Sequence, residues 1–256
     1  MATNLTTTAR VKRYLGQPGN NVDALIAELI PAASRTIEAY TSRQYPYVTR
    51  TSKRMTGSGS AILALPDTPI VAVSALAVGG VGIPESDGTS GGFLADDTAV
   101  NLISYGKFPM SPPLQVTCSW VAGYKETEAG TIPTANTPTL TPTTGGRATV
   151  AVSVTTVAGV PLTEVTSGPV AGQFSLADGV FTFNSANSGT LVEMEYYYIP
   201  SQVEQACVEM VALDLMQRSN VGTKSKSLAG ESISYEDRGM TPSIKEMLQP
   251  FRKYTL

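Results

Sequence analysis

Residues 21–43, NVDALIAELIPAASRTIEAYTSR, decide the fold. They place Val22, Leu25, Ile26, Leu29, Ile30, Ala33, Ile37 and Tyr40 on one stripe at helical spacing. Pro31 lies inside the pattern, but the stripe continues in phase beyond it, so a kink is expected rather than an end. Residues 201–219 repeat the pattern with Val203, Cys207, Met210, Val211 and Leu215. Each stripe needs an apolar partner, and the nearest equivalent lies about 160 positions away. The simplest solution packs the two ends of the chain together. The expected fold is therefore α+β: a small helical bundle from the N- and C-terminal segments, a central β region and an inserted β module.

Working outward, a short helix is expected over residues 7–15, capped by Thr6 or Thr7, with Gly16 at its C′ position. Asn20 or Asn21 would cap the long helix that follows. Ala61–Leu65 and Ile70–Val78 read as strands around Pro66-Asp67-Thr68-Pro69, and Gly79-Gly80 reads as a hairpin turn. Residues 84–92 read as a loop. Leu114–Val121 alternates as a strand ending in Ala122-Gly123-Tyr124. Residues 129–146 are rich in Thr and Pro, carry no charge and read as an extended linker. Strands follow at 148–157, 179–184 and 190–198. Ser201 with Glu204 forms a capping box for the third long helix. A polar stretch, 218–240, carries a hairpin around Ser232-Ile233-Ser234-Tyr235, and Thr241-Pro242 starts a last short helix. These boundaries divide the chain into a core of helical bundle plus β hairpins, 1–128 with 199–256, and an inserted β module with its Thr/Pro-rich linker, 129–198.

The 256 residues are 42% hydrophobic, enough for a real core, but only 15% charged, which suits a surface largely covered by neighbours. The net charge of −3 is unevenly spread. Residues 1–54 hold eight Lys/Arg against three Asp/Glu, residues 55–200 hold three against eleven, and residues 201–256 hold seven of each. Such polarity favours contacts between surfaces of opposite sign over diffuse attraction to nucleic acid. Cys118 and Cys207 are too few for a disulfide framework and read as small buried hydrophobes. The start, Met1-Ala2-Thr3-Asn4, lacks signal-peptide character, and Ile70–Ile83 is too short and glycine-rich to span a bilayer. Synthesis in the cytoplasm and no membrane partner are expected.

The chain has no histidine, which removes the commonest general base and transition-metal ligand. Glu193 and Glu195 lie about 7 Å apart on one strand face, a separation found in glycosidases. Acids that do such chemistry come from different elements around a cleft, so the solvated face of a strand is the better reading. Glu85-Ser86-Asp87-Gly88 and Asp96-Asp97 match no EF-hand spacing and read as loop acids. Gly57-Ser58-Gly59-Ser60 lacks the Gly-Lys-Ser/Thr of a P-loop and reads as a turn. No enzyme activity and no cofactor are expected.

The order of several landmarks resembles tailed-phage head–tail connector proteins, the adaptor or head-completion family. They are Ala9-Arg10-Val11-Lys12-Arg13-Tyr14-Leu15-Gly16, Leu25-Ile26, Ala32 to Arg43, Gly57 to Leu65 with Pro69-Ile70, Trp120-Val121-Ala122-Gly123-Tyr124, and Ile199-Pro200 leading to Val203-Glu204-Gln205-Ala206. Ile244-Lys245-Glu246-Met247-Leu248 and Phe251-Arg252-Lys253-Tyr254 close the series. In that family the Gly-Tyr strand end leads almost directly into the Pro-initiated helix, whereas here some 75 residues separate Tyr124 from Pro200. The resemblance implies a subunit of a ring, commonly dodecameric, located in the virion at the head–tail interface. Such a ring docks on the portal protein, extends the channel through which genome DNA passes without specific binding, and presents a platform for a stopper or tail-completion protein. It implies portal docking by the C-terminal segment: Ile244, Met247, Leu248, Phe251, Arg252, Lys253, Tyr254 and Leu256. Arg218, Lys224 and Lys226 are candidates for contact with channel DNA or a neighbour. The competing expectation is a virion decoration or carbohydrate/receptor-binding protein acting through the inserted module.

Overall fold

The computed structural model describes residues 4–17, 19–217, 225–228, 231–234 and 240–253, with the backbone alone for 217, 225–228 and 231–234. It is an α+β protein. Helix α1 (Thr8–Leu15) begins at Thr7, whose hydroxyl accepts from Arg10 N, and stops at Gly16 in the left-handed region. Helix α2 (Asp23–Thr41) runs through Pro31. Its N-cap is Val22, with no side-chain cap, in place of the expected Asn20 or Asn21. Asn20 is used elsewhere: its Oδ1 accepts from Lys12 Nζ at 2.9 Å, and its carbonyl closes a turn with Asp23 N.

The chain then forms β1 (Tyr47–Met55), β2 (Ile62–Ala64), β3 (Ile70–Val78), β4 (Val81–Ile83), β5 (Gly92–Ala95), β6 (Ala99–Ile103) and β7 (Val116–Gly123). These make a sheet of order β1-β7-β3-β4 and a smaller one of order β2-β6-β5. Strand β7 shows why they close on each other. Val116, Cys118, Trp120 and Ala122 alternate inward and pack with Leu63, Ile70, Val73, Leu76, Phe93, Val100, Leu102 and Phe108. Edge strand β1 bulges between Arg50 and Lys53, where Ser52 takes a φ of 49° and its N–H donates to Ser119 Oγ.

Next come β8 (Lys125–Thr131), β9 (Thr139–Leu140), β10 (Gly146–Thr156), β11 (Thr163–Glu164), β12 (Gln173–Ala177), β13 (Val180–Phe183) and β14 (Leu191–Pro200). They form the sheets β10-β14-β8 and β11-β12-β13-β9. Between these lies a separate core of Val154, Phe174, Phe181, Phe183, Val192, Met194 and Tyr196. The linker reading of 129–146 is corrected here, because 129–131 complete β8 and 139–140 form β9. Strand β8 is hard to see in sequence because it is an edge whose glutamates are used locally. Glu128 accepts from the Thr143 and Thr144 amides and the Thr143 hydroxyl.

Strand β14 leads directly into α3 (Ser201–Gln217). A backbone hairpin follows, β15 (Ser225–Leu228) with β16 (Glu231–Ser234); Tyr235 of the expected hairpin lies outside the described residues. Helix α4 (Pro242–Leu248) has Thr241 as its cap, accepting from Ile244 N. A short 3-10 turn, Gln249–Phe251, ends the described chain together with Arg252 and Lys253. Helix α3 buries Val203, Ala206, Cys207, Val208, Met210, Val211 and Ala212, so it is apolar nearly all round and serves as the axis of the bundle. Around it pack Leu5, Val11, Ile26, Ile30, Ala33, Ile37, Ile244 and Leu248. Sequence ends about 200 residues apart thus share one core, each fully buried aliphatic side chain contributing about 1.5–3 kcal/mol.

Candidate assembly surfaces

The C-terminal segment is held by its own chain. Ile244 and Leu248 have no exposed surface and sit in the bundle core, while Met247 and Phe251 pack partly against it. The order that α4 needs is therefore supplied by α3 and its neighbours, not only by an outside partner. Arg43, just past the end of α2, sits at the crossing point. Its Nε donates to the Phe251 carbonyl at 2.7 Å, and its Nη1 donates to the Thr68 hydroxyl at 2.8 Å and to the Thr68 carbonyl. Lys253 N–H donates to the Thr41 carbonyl, and its ammonium reaches the Pro66 carbonyl. The Arg252 guanidinium lies 5.4 Å from the centre of the Tyr40 ring. These contacts tie the bundle to the 66–69 turn of the central β unit. Met247 and Phe251 remain half-exposed, Arg252 is exposed and Lys253 is half-buried. Tyr254 and Leu256 lie outside the described residues, as do Arg218 and Lys224, and Lys226 is described only as part of the β15 backbone.

An aromatic seam joins the three units. Tyr45 stacks on Tyr124 at 5.8 Å and 11°, and Tyr124 in turn meets Tyr198 and the edge of Phe251. Tyr47 stacks on Tyr197 at 4.5 Å. Burial raises the Tyr45 and Tyr124 phenol pKa values. Of the three consecutive tyrosines, Tyr196 points into the inserted core, while Tyr197 and Tyr198 serve the seam.

A second junction was not legible in the sequence. Glu204 is not a capping-box residue. Its side chain is 3% exposed and lies 2.5 Å from Arg147 Nε and 3.0 Å from Arg10 Nη1. Arg147, on β10, also donates to the Leu5 carbonyl at 3.3 Å. One buried acid therefore joins α1, α3 and the inserted unit. Gly146 permits this approach, since a Cβ there would lie 2.1 Å from the Ile199 carbonyl oxygen. The only sequence signal was the Gly145-Gly146-Arg147 run.

The remaining acids behave as loop and surface groups. Asp87 Oδ1 accepts from the amides and hydroxyls of Thr89 and Ser90, which holds its carboxyl well below the usual range. Asp96 Oδ1 accepts from the Thr98 amide and hydroxyl and from the Ala99 amide, and its pKa falls to about 2. Glu195 pairs with Lys125 at 2.5 Å, and Glu193 is exposed. Among the described residues, no group of three or more His, Cys, Asp or Glu side chains is placed to hold a metal ion. No helix among them is long and apolar enough to cross a membrane. Cys118 and Cys207 are buried, and burial pushes their thiols up to about 11 and about 12. An open hollow of about 430 Å³ between the central and inserted units is lined by Ile70, Gly123, Lys125, Glu126, Glu195 and Tyr198. Three acids line it, Asp97, Glu126 and Glu195, the last paired with Lys125.

No protein-family model matches the chain, and no curated protein matches it. Among solved structures, the chain is similar to a chain of the neck of an empty GTA particle computed with C6 symmetry, at a TM-score of 0.39 and 13% identity. The alignment covers 97% of this chain and 90% of that one.

Proposed function

We propose that this protein is a structural subunit of an adaptor ring at the head–tail interface of a phage-like particle. In this reading the ring docks on the portal protein, extends the DNA channel and presents a platform for the stopper or tail-completion protein. The observation that carries the reading is the ordered series of connector-like landmarks, which in this fold make up one continuous body. Residues 9–16, 25–43, 199–206 and 244–251 build the bundle, residues 57–70 and 120–124 build the central β unit, and Arg43 with the C-terminal segment clasps the two. The work is binding and geometry rather than turnover. Genome DNA passes without specific contact, in keeping with the excess of acids in residues 55–200.

Within this proposal portal docking falls to the outward side of α4 and the tail: Met247, Phe251, Arg252, Lys253, Tyr254 and Leu256. Ile244 and Leu248 hold the helix from beneath. Residues 129–198 form an inserted module added to the connector core. The carbohydrate-binding alternative draws less support, because Phe174, Phe181, Phe183 and Tyr196 of that module are buried in its core rather than displayed.

Copurification of the chain with its particle's portal protein tests the proposal, read alongside cryo-electron microscopy of particles lacking the chain. Retention on the portal and tailless, leaking heads are the expected results. Normal tailed particles in its absence would overturn it.

A further inference from the structure

The small sheet of β2, β6 and β5 turns Leu63, Phe93, Val100 and Leu102 inward, and its other face is open. On that face the register sets Ile62 and Leu94 on either side of Asn101, with Ile103 next along β6. Ile62 is 54% exposed, Leu94 38% and Tyr105, just beyond, 45%. Acids border this apolar row. Asp96 Oδ2 accepts from Asn101 Nδ2, and Asp97, Glu85 and Asp87 lie in the flanking loops. Residues 56–106 contain no Lys or Arg. Asp67 is used by Arg50, but none of these four acids forms an ion pair among the described residues.

The opposite chemistry stands at the other end of the molecule. Helix α1 contains no acid, and it turns Arg10, Arg13 and Tyr14 outward, Tyr14 being 52% exposed. Arg10 and Lys12 have acidic partners, while Arg13 has none among the described residues. The Lys12–Asp23 pair marks the start of α2 and the Arg43–Thr68 bonds mark its end. That helix is 19 residues long, about 28 Å at 1.5 Å per residue. The two surfaces are therefore separated by the length of α2 and cannot meet within one chain.

We infer that they are the two sides of one head-to-tail contact between copies of this chain. The face formed by Ile62 and Leu94, with Asp96 and Glu85 at its border, receives Arg13 and Tyr14 on α1 of the next copy. The inference rests on the ring reading above and assigns the contact that would build the ring. Each copy carries one surface of each kind, so the contact is heterologous, leaves both surfaces unmatched in a single copy and propagates until the rotation closes. Tyr and Arg are the residue types that anchor such contacts, and the flanking charges set their orientation.

Cys118 and Cys207 are 1% and 0% exposed, so introduced cysteines are the reactive thiols of the folded chain. A double variant, Tyr14→Cys with Ile62→Cys, is assembled and treated with a bismaleimide crosslinker. Rings are scored separately by electron microscopy, and products are separated on a denaturing gel. A ladder of multimers from the double variant, with monomer from each single variant, is the expected result. Rings without a ladder would overturn this contact and leave the ring reading standing, whereas neither rings nor ladder would overturn both. Dimers from one single variant would show a two-fold contact and overturn the head-to-tail assignment. Charge reversal gives an independent measure. Arg13→Glu and Glu85→Arg should each reduce assembly, and the two together should restore it; unaltered assembly in both single variants, or absent rescue, overturns the pairing.

Discussion

Replacing Glu204 by Gln should destabilise the protein more than any other single change of an acid. The side chains of Arg147 and Glu204 are 7% and 3% exposed, so neither charge has much water to fall back on. The variant keeps an amide oxygen for Arg147 Nε but removes the negative charge, leaving the buried guanidinium with only neutral acceptors, that oxygen and the Leu5 and Asn4 carbonyls. An uncompensated buried charge of this kind costs about 3–5 kcal/mol. Loss of the Arg10 contact adds little, because that side chain is 44% exposed and such pairs contribute at most about 1 kcal/mol. Against a typical total stability of about 5–15 kcal/mol the loss is large. For a chain of this size it corresponds to a fall in Tm on the order of 10 °C. Urea unfolding should be followed by both circular dichroism and the emission of Trp120, the sole tryptophan, which sits in the central β core. A single free energy is defined only where the two transitions coincide. The double replacement Arg147→Met with Glu204→Leu removes both charges and should return to within about 1 kcal/mol of the original protein. A loss below about 1 kcal/mol in Glu204→Gln, or a double variant as unstable as the single, would refute the reasoning.

Three further outcomes are expected. Gly123 has a φ of 155°, and a Cβ there would lie 2.5 Å from the Pro46 carbonyl oxygen and the Tyr47 Cα, so Gly123→Ala should cost about 2–4 kcal/mol in the same urea assay. Cys118 and Cys207, raised to about 11 and about 12 by burial, should resist a thiol reagent at pH 8 and react fully once denaturant is added; fast labelling of the folded chain would contradict the packing described. The depressed Asp96 pKa means that its ionised form favours the folded state. That contribution is complete above the unfolded carboxyl pKa and is lost as pH falls through about 2, so melting curves of the original protein and Asp96→Asn should differ at neutral pH and converge in strong acid.

The helices were legible because their signal is local. The stripe from Val22 to Tyr40, the Thr7 and Thr241 caps and Gly16 each follow from side-chain chemistry within a few residues, and the structure has them where the pattern places them. Strands with one buried face, such as β7 and β14, showed by their alternation for the same reason. Strand β1 did not, because Tyr47–Met55 is an edge of Thr, Ser, Lys and Arg interrupted by a bulge, and β8 did not, because its acids serve a neighbouring turn. The role of the C-terminal segment also depended on what lies beside it. Its apolar residues predict a need for a partner, but not that α3 meets the need of Ile244 and Leu248 within the chain. The Arg147–Glu204 pair, the Arg43 crossing and the tyrosine seam join residues 25 to 208 positions apart, and no spacing rule connects residues so distant. Sequence alone thus determined the elements whose free energy comes from neighbours along the chain. Tertiary structure alone decided the junctions, because burying a charge or a ring is favourable only when a specific remote group arrives to meet it.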